Sequence, residues 1–109
     1  MNNAIAQITA LELDARISRS DDLTVIDVRE PWEVELASVH GTIPIPLAGI
    51  PASITSLDRN REYVMMCHHG ARSEAAAQWL QRQGFTRIIN LDGGIDAWSR
   101  EVDPSVPQY

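Results

Sequence analysis

Apolar residues fall along this chain in short blocks set apart by polar turns, and the blocks alternate between strand-like and helix-like spacing. Leu23-Thr24-Val25-Ile26-Asp27-Val28 is β-branched and almost continuous, the pattern of a strand buried on both faces. Glu62-Tyr63-Val64-Met65-Met66 and Arg87-Ile88-Ile89-Asn90-Leu91 read the same way, and Ala6-Gln7-Ile8 makes a short first strand. Thr42-Ile43-Pro44-Ile45-Pro46-Leu47 is extended, but its prolines confine it to a sheet edge or a very short strand. Helical stretches lie between these blocks. Thr9 followed by Glu12 is a capping-box signature, opening a helix with Leu11, Leu13 and Ile17 as its apolar positions. Ile50 to Leu57 is a poorly patterned helical stretch, and Ser73 to Gly84 reads as a helix closed by a glycine. Asp92-Gly93-Gly94 turns into a short helix from Ile95 to Arg100, and Val102 to Tyr109, with two prolines, is expected to be extended.

Strands alternating with helices predict an α/β fold, a small parallel sheet flanked by helices on both faces. A chain of 109 residues supports one core, so residues 1–109 are expected to form a single domain. In such sheets ligands sit outside the carboxyl ends of the strands. Two segments point to that edge: Cys67, which follows the Tyr63 strand, and Asp27-Val28-Arg29.

Composition narrows the possibilities. A net charge of −6 leaves no basic stripe for nucleic acid or an anionic membrane. No stretch approaches the roughly 20 apolar residues of a membrane span. No basic segment followed by an apolar one marks export, and a single cysteine makes no internal disulfide, so a cytoplasmic location is expected.

That cysteine carries the chemistry. In Cys67-His68-His69-Gly70-Ala71-Arg72-Ser73 it stands where a strand turns into a helix. So short a loop must curl its backbone N–H groups toward its own centre, and the helix adds the positive end of its dipole. Arg72 contributes a further positive charge. An ordinary cysteine, near pKa ~8.5, is only a few per cent thiolate at neutral pH, so a loop of this kind serves to stabilise the anion. Ser73 is expected to cap the helix, with contact to the sulfur as the alternative. Asp27 and Arg29 read as an ion pair or hydrogen-bond anchor holding the loops at the same edge, with a direct substrate role for Arg29 as the alternative, and Trp32 is expected near the rim. A metal site is not expected. Cys67, His68 and His69 are adjacent residues that rarely turn onto one ion, and no second cysteine completes a tetrahedral set.

Three separated segments resemble the single-domain rhodanese family of sulfurtransferases: Ile26-Asp27-Val28-Arg29-Glu30-Pro31-Trp32-Glu33, the Cys67 to Ser73 loop, and Leu91-Asp92-Gly93-Gly94-Ile95-Asp96-Ala97-Trp98. Ala37-Ser38-Val39 departs from the Gly-His-Ile often found there in the family. The resemblance implies a five-stranded parallel sheet. It also implies a Cys67 persulfide that takes a sulfane sulfur from thiosulfate or a related donor and gives it to cyanide or a thiol. The loop from His68 through His69, Gly70, Ala71 and Arg72 to Ser73 would bind the substrate, with Asp27, Arg29 and Trp32 in support. No cofactor is required, a protein sulfur acceptor is a candidate partner, and nothing demands more than a monomer. Cys67 and Arg72 bracket four residues, one fewer than the phosphate cradle of protein tyrosine phosphatases, and this shorter ring suits a single sulfur or a small anion. Two other readings stay open: a sulfur-delivery or interaction module that turns over thiosulfate poorly, and a redox sensor built on the same thiol.

Overall fold

The computed structural model describes residues 4–109, which form five parallel strands in the order β1-β5-β4-β2-β3. The strands are β1 (Ala6–Ile8), β2 (Thr24–Asp27), β3 (Ile43–Pro44), β4 (Tyr63–Met66) and β5 (Ile88–Leu91). The α/β architecture expected from the alternation is the one observed. The helices are α1 (Ala10–Ser18), α2 (Pro31–Leu36), α3 (Ile50–Ser53), α4 (Ala71–Arg82) and α5 (Gly94–Glu101). No helix among the described residues is long and apolar enough to cross a membrane.

β4 lies at the centre of the sheet, and all four of its residues are buried. Successive side chains of a strand face opposite sides, and the core divides accordingly. Tyr63, Met65 and Cys67 pack with Ala76, Ala77 and Leu80 of α4, whereas Val64 and Met66 pack with Leu13 of α1 and with Ile95 and Trp98 of α5. Cys67 thus faces the α4 layer. β2 runs beside β4 with Asp27 level with Met66, so the two segments expected at the carboxyl edge do share it. β3 is an edge strand only two residues long, as its prolines require.

Three boundaries differ from the sequence expectations. The capping box of α1 forms, but Leu11 and Ile17 are exposed and the buried positions are Ala10 and Leu13. Leu11 and Leu13 stand about 200° apart around a helix, so both cannot face the core. α4 begins at Ala71, two residues before the expected start. The Ile50 region breaks into α3 between two 3₁₀ turns, Leu47–Gly49 and Ile54–Ser56.

Candidate active site

Cys67 is the first residue after β4, and only His68, His69 and Gly70 separate it from α4. A reversal this tight is closed by Gly70 at φ +112, a left-handed conformation that costs glycine little. The Gly70 N–H thereby points back at the sulfur, 3.1 Å from Sγ. Behind it the twelve residues of α4 present their positive dipole end. The thiol itself is 1% exposed, set beneath its loop and not on the surface.

The rest of the loop is held from outside by α5. Cys67 O accepts the Ile95 N–H at 2.9 Å, and His68 O accepts the Asp96 N–H at 3.1 Å. In a trans peptide the carbonyl and the next N–H point opposite ways. The amides of His68 and His69 are therefore turned to the side of the loop away from α5. Gly94 makes this contact possible: a Cβ there would lie 2.4 Å from both Cys67 O and His68 O.

Ser73 does not cap α4. The cap position is Gly70, and Ser73 is the third helical residue, fully buried. Its Oγ lies 3.3 Å from Cys67 Sγ, 3.2 Å from Gly70 O and 2.6 Å from Asn90 Oδ1. The alternative of contact with the sulfur is the one observed, because starting the helix two residues earlier turns position 73 inward.

Arg72 carries its charge to the loop's end but is not free there. It forms a two-pronged pair with the buried Glu33 carboxylate at 2.6 and 2.8 Å. Glu33 also accepts the Tyr109 hydroxyl at 2.9 Å and the Glu30 N–H at 2.9 Å. The Arg72 guanidinium, helped by those donors, holds the Glu33 carboxyl down at about 2. A carboxylate whose folded value lies below its unfolded one stabilises the fold above the unfolded value and loses that contribution as pH falls. Stability is therefore expected to drop between roughly pH 4.5 and 2, and Glu33→Gln should flatten that drop, by on the order of 1–3 kcal/mol. Urea titrations of both proteins across this range check it. An equal acid slope in the two would assign the loss to other carboxylates.

The Asp27–Arg29 ion pair is fully buried, with a closest approach of 2.6 Å. Arg29 also donates to Glu33 O, Ala37 O and the Tyr109 hydroxyl. It ties the end of β2 to both ends of α2 and to the C-terminal segment. Its donors are directed at these groups and not toward Cys67. Trp32 is 62% exposed and meets the Tyr109 ring edge-on. The Tyr109 ring in turn stacks flat on His68 at 3.8 Å, with His69 at 3.9 Å on that imidazole. Burial, and then the neighbouring His69, push the His68 imidazole below its ordinary value, so it is neutral at neutral pH.

His68, His69 and Asp96 bring possible ligand atoms within 4.8 Å of one another. The two rings stack with centroids 3.9 Å apart, and Asp96 is held by Arg100 at 3.0 Å.

Cys67, Gly70 and Ser73 thus surround one sulfur, His68 and His69 form the loop's outer wall, and Ala71 and Arg72 open α4. Asp27, Arg29 and Trp32 stand one layer out. Four residues with roles here escaped sequence reasoning: Glu33, Asn90, Gly94 and Tyr109. Asn90 left a local signal as a polar residue inside an otherwise apolar strand, and Gly94 was legible as part of a turn but not as the site of close approach to the loop.

The rhodanese-like domain family model matches residues 9–101. Over 93 residues the chain is 42% identical to an Arabidopsis thaliana protein named rhodanese-like/PpiC domain-containing protein 12, chloroplastic. That match covers 82% of this chain but 31% of the longer plant protein. An Allochromatium vinosum protein named a sulfurtransferase is 32% identical over 102 residues, 94% of this chain and 95% of the other. The crystal structure of a rhodanese-related protein from Thermoplasma volcanium is 35% identical and superposes with a TM-score of 0.81, covering 95% of this chain and 99% of that one.

Proposed function

Since the chain belongs to the rhodanese-like domain family, we propose that it is a sulfurtransferase that carries a sulfane sulfur as a persulfide on Cys67. The observation carrying this reading is the Gly70 N–H directed at Sγ at the start of α4, which stabilises negative charge where a nucleophilic sulfur needs it.

With thiosulfate as donor, the Cys67 thiolate attacks the outer sulfur and a new S–S bond forms. The old S–S bond breaks, and sulfite leaves with its electron pair. Negative charge then rests on the outer sulfur of the persulfide, over the loop amides and the end of the α4 dipole. Cyanide or a thiolate attacks that outer sulfur, takes it away, and returns the electron pair to Sγ. Burial of the thiol favours small donors and keeps water from the loaded sulfur.

The test is intact mass after incubation with thiosulfate. The expected result is a gain of one sulfur atom, reversed by cyanide with release of thiocyanate. One observation favours delivery to a protein acceptor over rapid thiosulfate turnover: the Arg72 guanidinium is already paired with Glu33, and the chain is acidic overall. Loading by a persulfide donor with none from thiosulfate would select that second reading. Loading by neither would overturn both.

A further inference from the structure

A chain of side-chain amides leads from the sulfur outward, through buried Asn90 to exposed Gln7, and at its inner end it sets a choice that the Ser73 hydroxyl must make. Ser73 has one hydroxyl hydrogen and three acceptors in reach: Cys67 Sγ, Gly70 O and, closest, Asn90 Oδ1. The orientation of Asn90 is dictated by its neighbours. Its Nδ2 faces Gln7 Oε1 at 3.0 Å, Gly70 O at 3.2 Å and Glu74 Oε1 at 3.5 Å, all acceptors. Gln7 is held the same way, donating to Glu74 at 2.6 Å. With its nitrogen committed to acceptors, Asn90 can present only its oxygen to Ser73.

The consequence depends on the state of the sulfur. A Cys67 thiol can donate to Ser73 Oγ while Ser73 donates to Asn90, and every group is satisfied. A bare thiolate only accepts. If the Ser73 hydrogen turns to it, Asn90 Oδ1 is left buried without a donor; if the hydrogen stays, the thiolate keeps Gly70 N–H alone. A persulfide removes the conflict, because the charge has moved to the outer sulfur and Sγ no longer needs that hydrogen.

We propose that Asn90 is a positioning residue which, by holding the Ser73 hydrogen, disfavours the unloaded Cys67 thiolate and favours the sulfur-loaded form. This rests on Cys67 as the sulfur carrier. The charged groups of the surrounding elements do not change with Asn90: Arg72 stays paired with Glu33, Asp27 with Arg29, and Asp96 with Arg100. The neutral His68 stack is likewise untouched, and Glu74 keeps its bond from Gln7.

The experiment is the rate of iodoacetamide alkylation of Cys67 against pH for the parent, Asn90→Leu, Ser73→Ala and the double variant, with thermal melts to show folding. Asn90→Leu, or Asn90→Ala if leucine disturbs the fold, frees the Ser73 hydrogen. The midpoint is expected to move to lower pH, with alkylation roughly three- to tenfold faster on the acid side. Above the alkylation midpoint, where free Cys67 is the thiolate, the same factor should lower the ratio of persulfidated to free Cys67 at a fixed ratio of thiosulfate to sulfite. In the Ser73→Ala background, removing Asn90 should move neither quantity. An unmoved or raised midpoint overturns the proposal, as does an equal shift in the Ser73→Ala background. The alkylation profile needs no persulfide, so failure of sulfur loading alone would count against the transferase reading and not against Asn90.

Discussion

Cys67→Ser is expected to abolish sulfur transfer, by at least about a thousandfold, while leaving the protein folded. The serine oxygen is far too weakly acidic to be an anion at neutral pH, even with the Gly70 amide and the α4 dipole beside it. Nor can an oxygen hold a transferred sulfur in place of a disulfide-type bond. The substitution is almost isosteric in a site already built for a hydrogen-bond acceptor, with Gly70 N–H at 3.1 Å and Ser73 Oγ at 3.3 Å, so its cost to stability is about 1 kcal/mol. Thiocyanate release and the intact mass after thiosulfate report transfer, and the melting temperature reports the fold. Turnover above a per cent of the parent would remove Cys67 from the chemistry.

Gly94→Ala is expected to damage the site from the far side of the loop. The glycine has φ +59, where an L-residue pays about 1 kcal/mol or more, and its added methyl would meet the Cys67 and His68 carbonyls at 2.4 Å. Those atoms belong to main chain, so relief requires α5 or the loop to shift. With an overpacking cost of about 1–3 kcal/mol added, a loss of roughly 2–5 kcal/mol is expected in urea unfolding. The bonds from Ile95 N and Asp96 N to those carbonyls must then lengthen, which frees the loop peptides to rotate. Sulfur loading should fall more than tenfold even at temperatures where the variant stays folded. If the folded variant loads at the parent's rate, α5 does not orient the loop.

The placement of Cys67 between a strand and a helix was readable because its logic is local. A strand of four buried residues, a left-handed glycine and a helix start all lie within a few positions of Cys67. Strand and helix periodicity repeat every two to four residues, so the layer architecture follows from the same short range. Where the reading slipped, the error was also local in scale. Ser73 is an ordinary cap residue by type, and a two-residue earlier start to α4 converts it into a buried neighbour of the sulfur.

Contacts that join distant segments had no such signature. Glu33 meets Arg72 across 39 positions and Tyr109 across 76, and Asn90 meets Gln7 across 83. These encounters depend on the strand order β1-β5-β4-β2-β3, which sets β2 on one side of β4 and β5 on the other. The residues alone established a parallel sheet with the lone cysteine at its carboxyl edge, since alternation and turn chemistry act between near neighbours. Which groups surround that sulfur, where the Arg72 charge is held, and what competes for the Ser73 hydrogen were settled by folding, because hydrogen bonds form between whatever the layers bring within 3 Å.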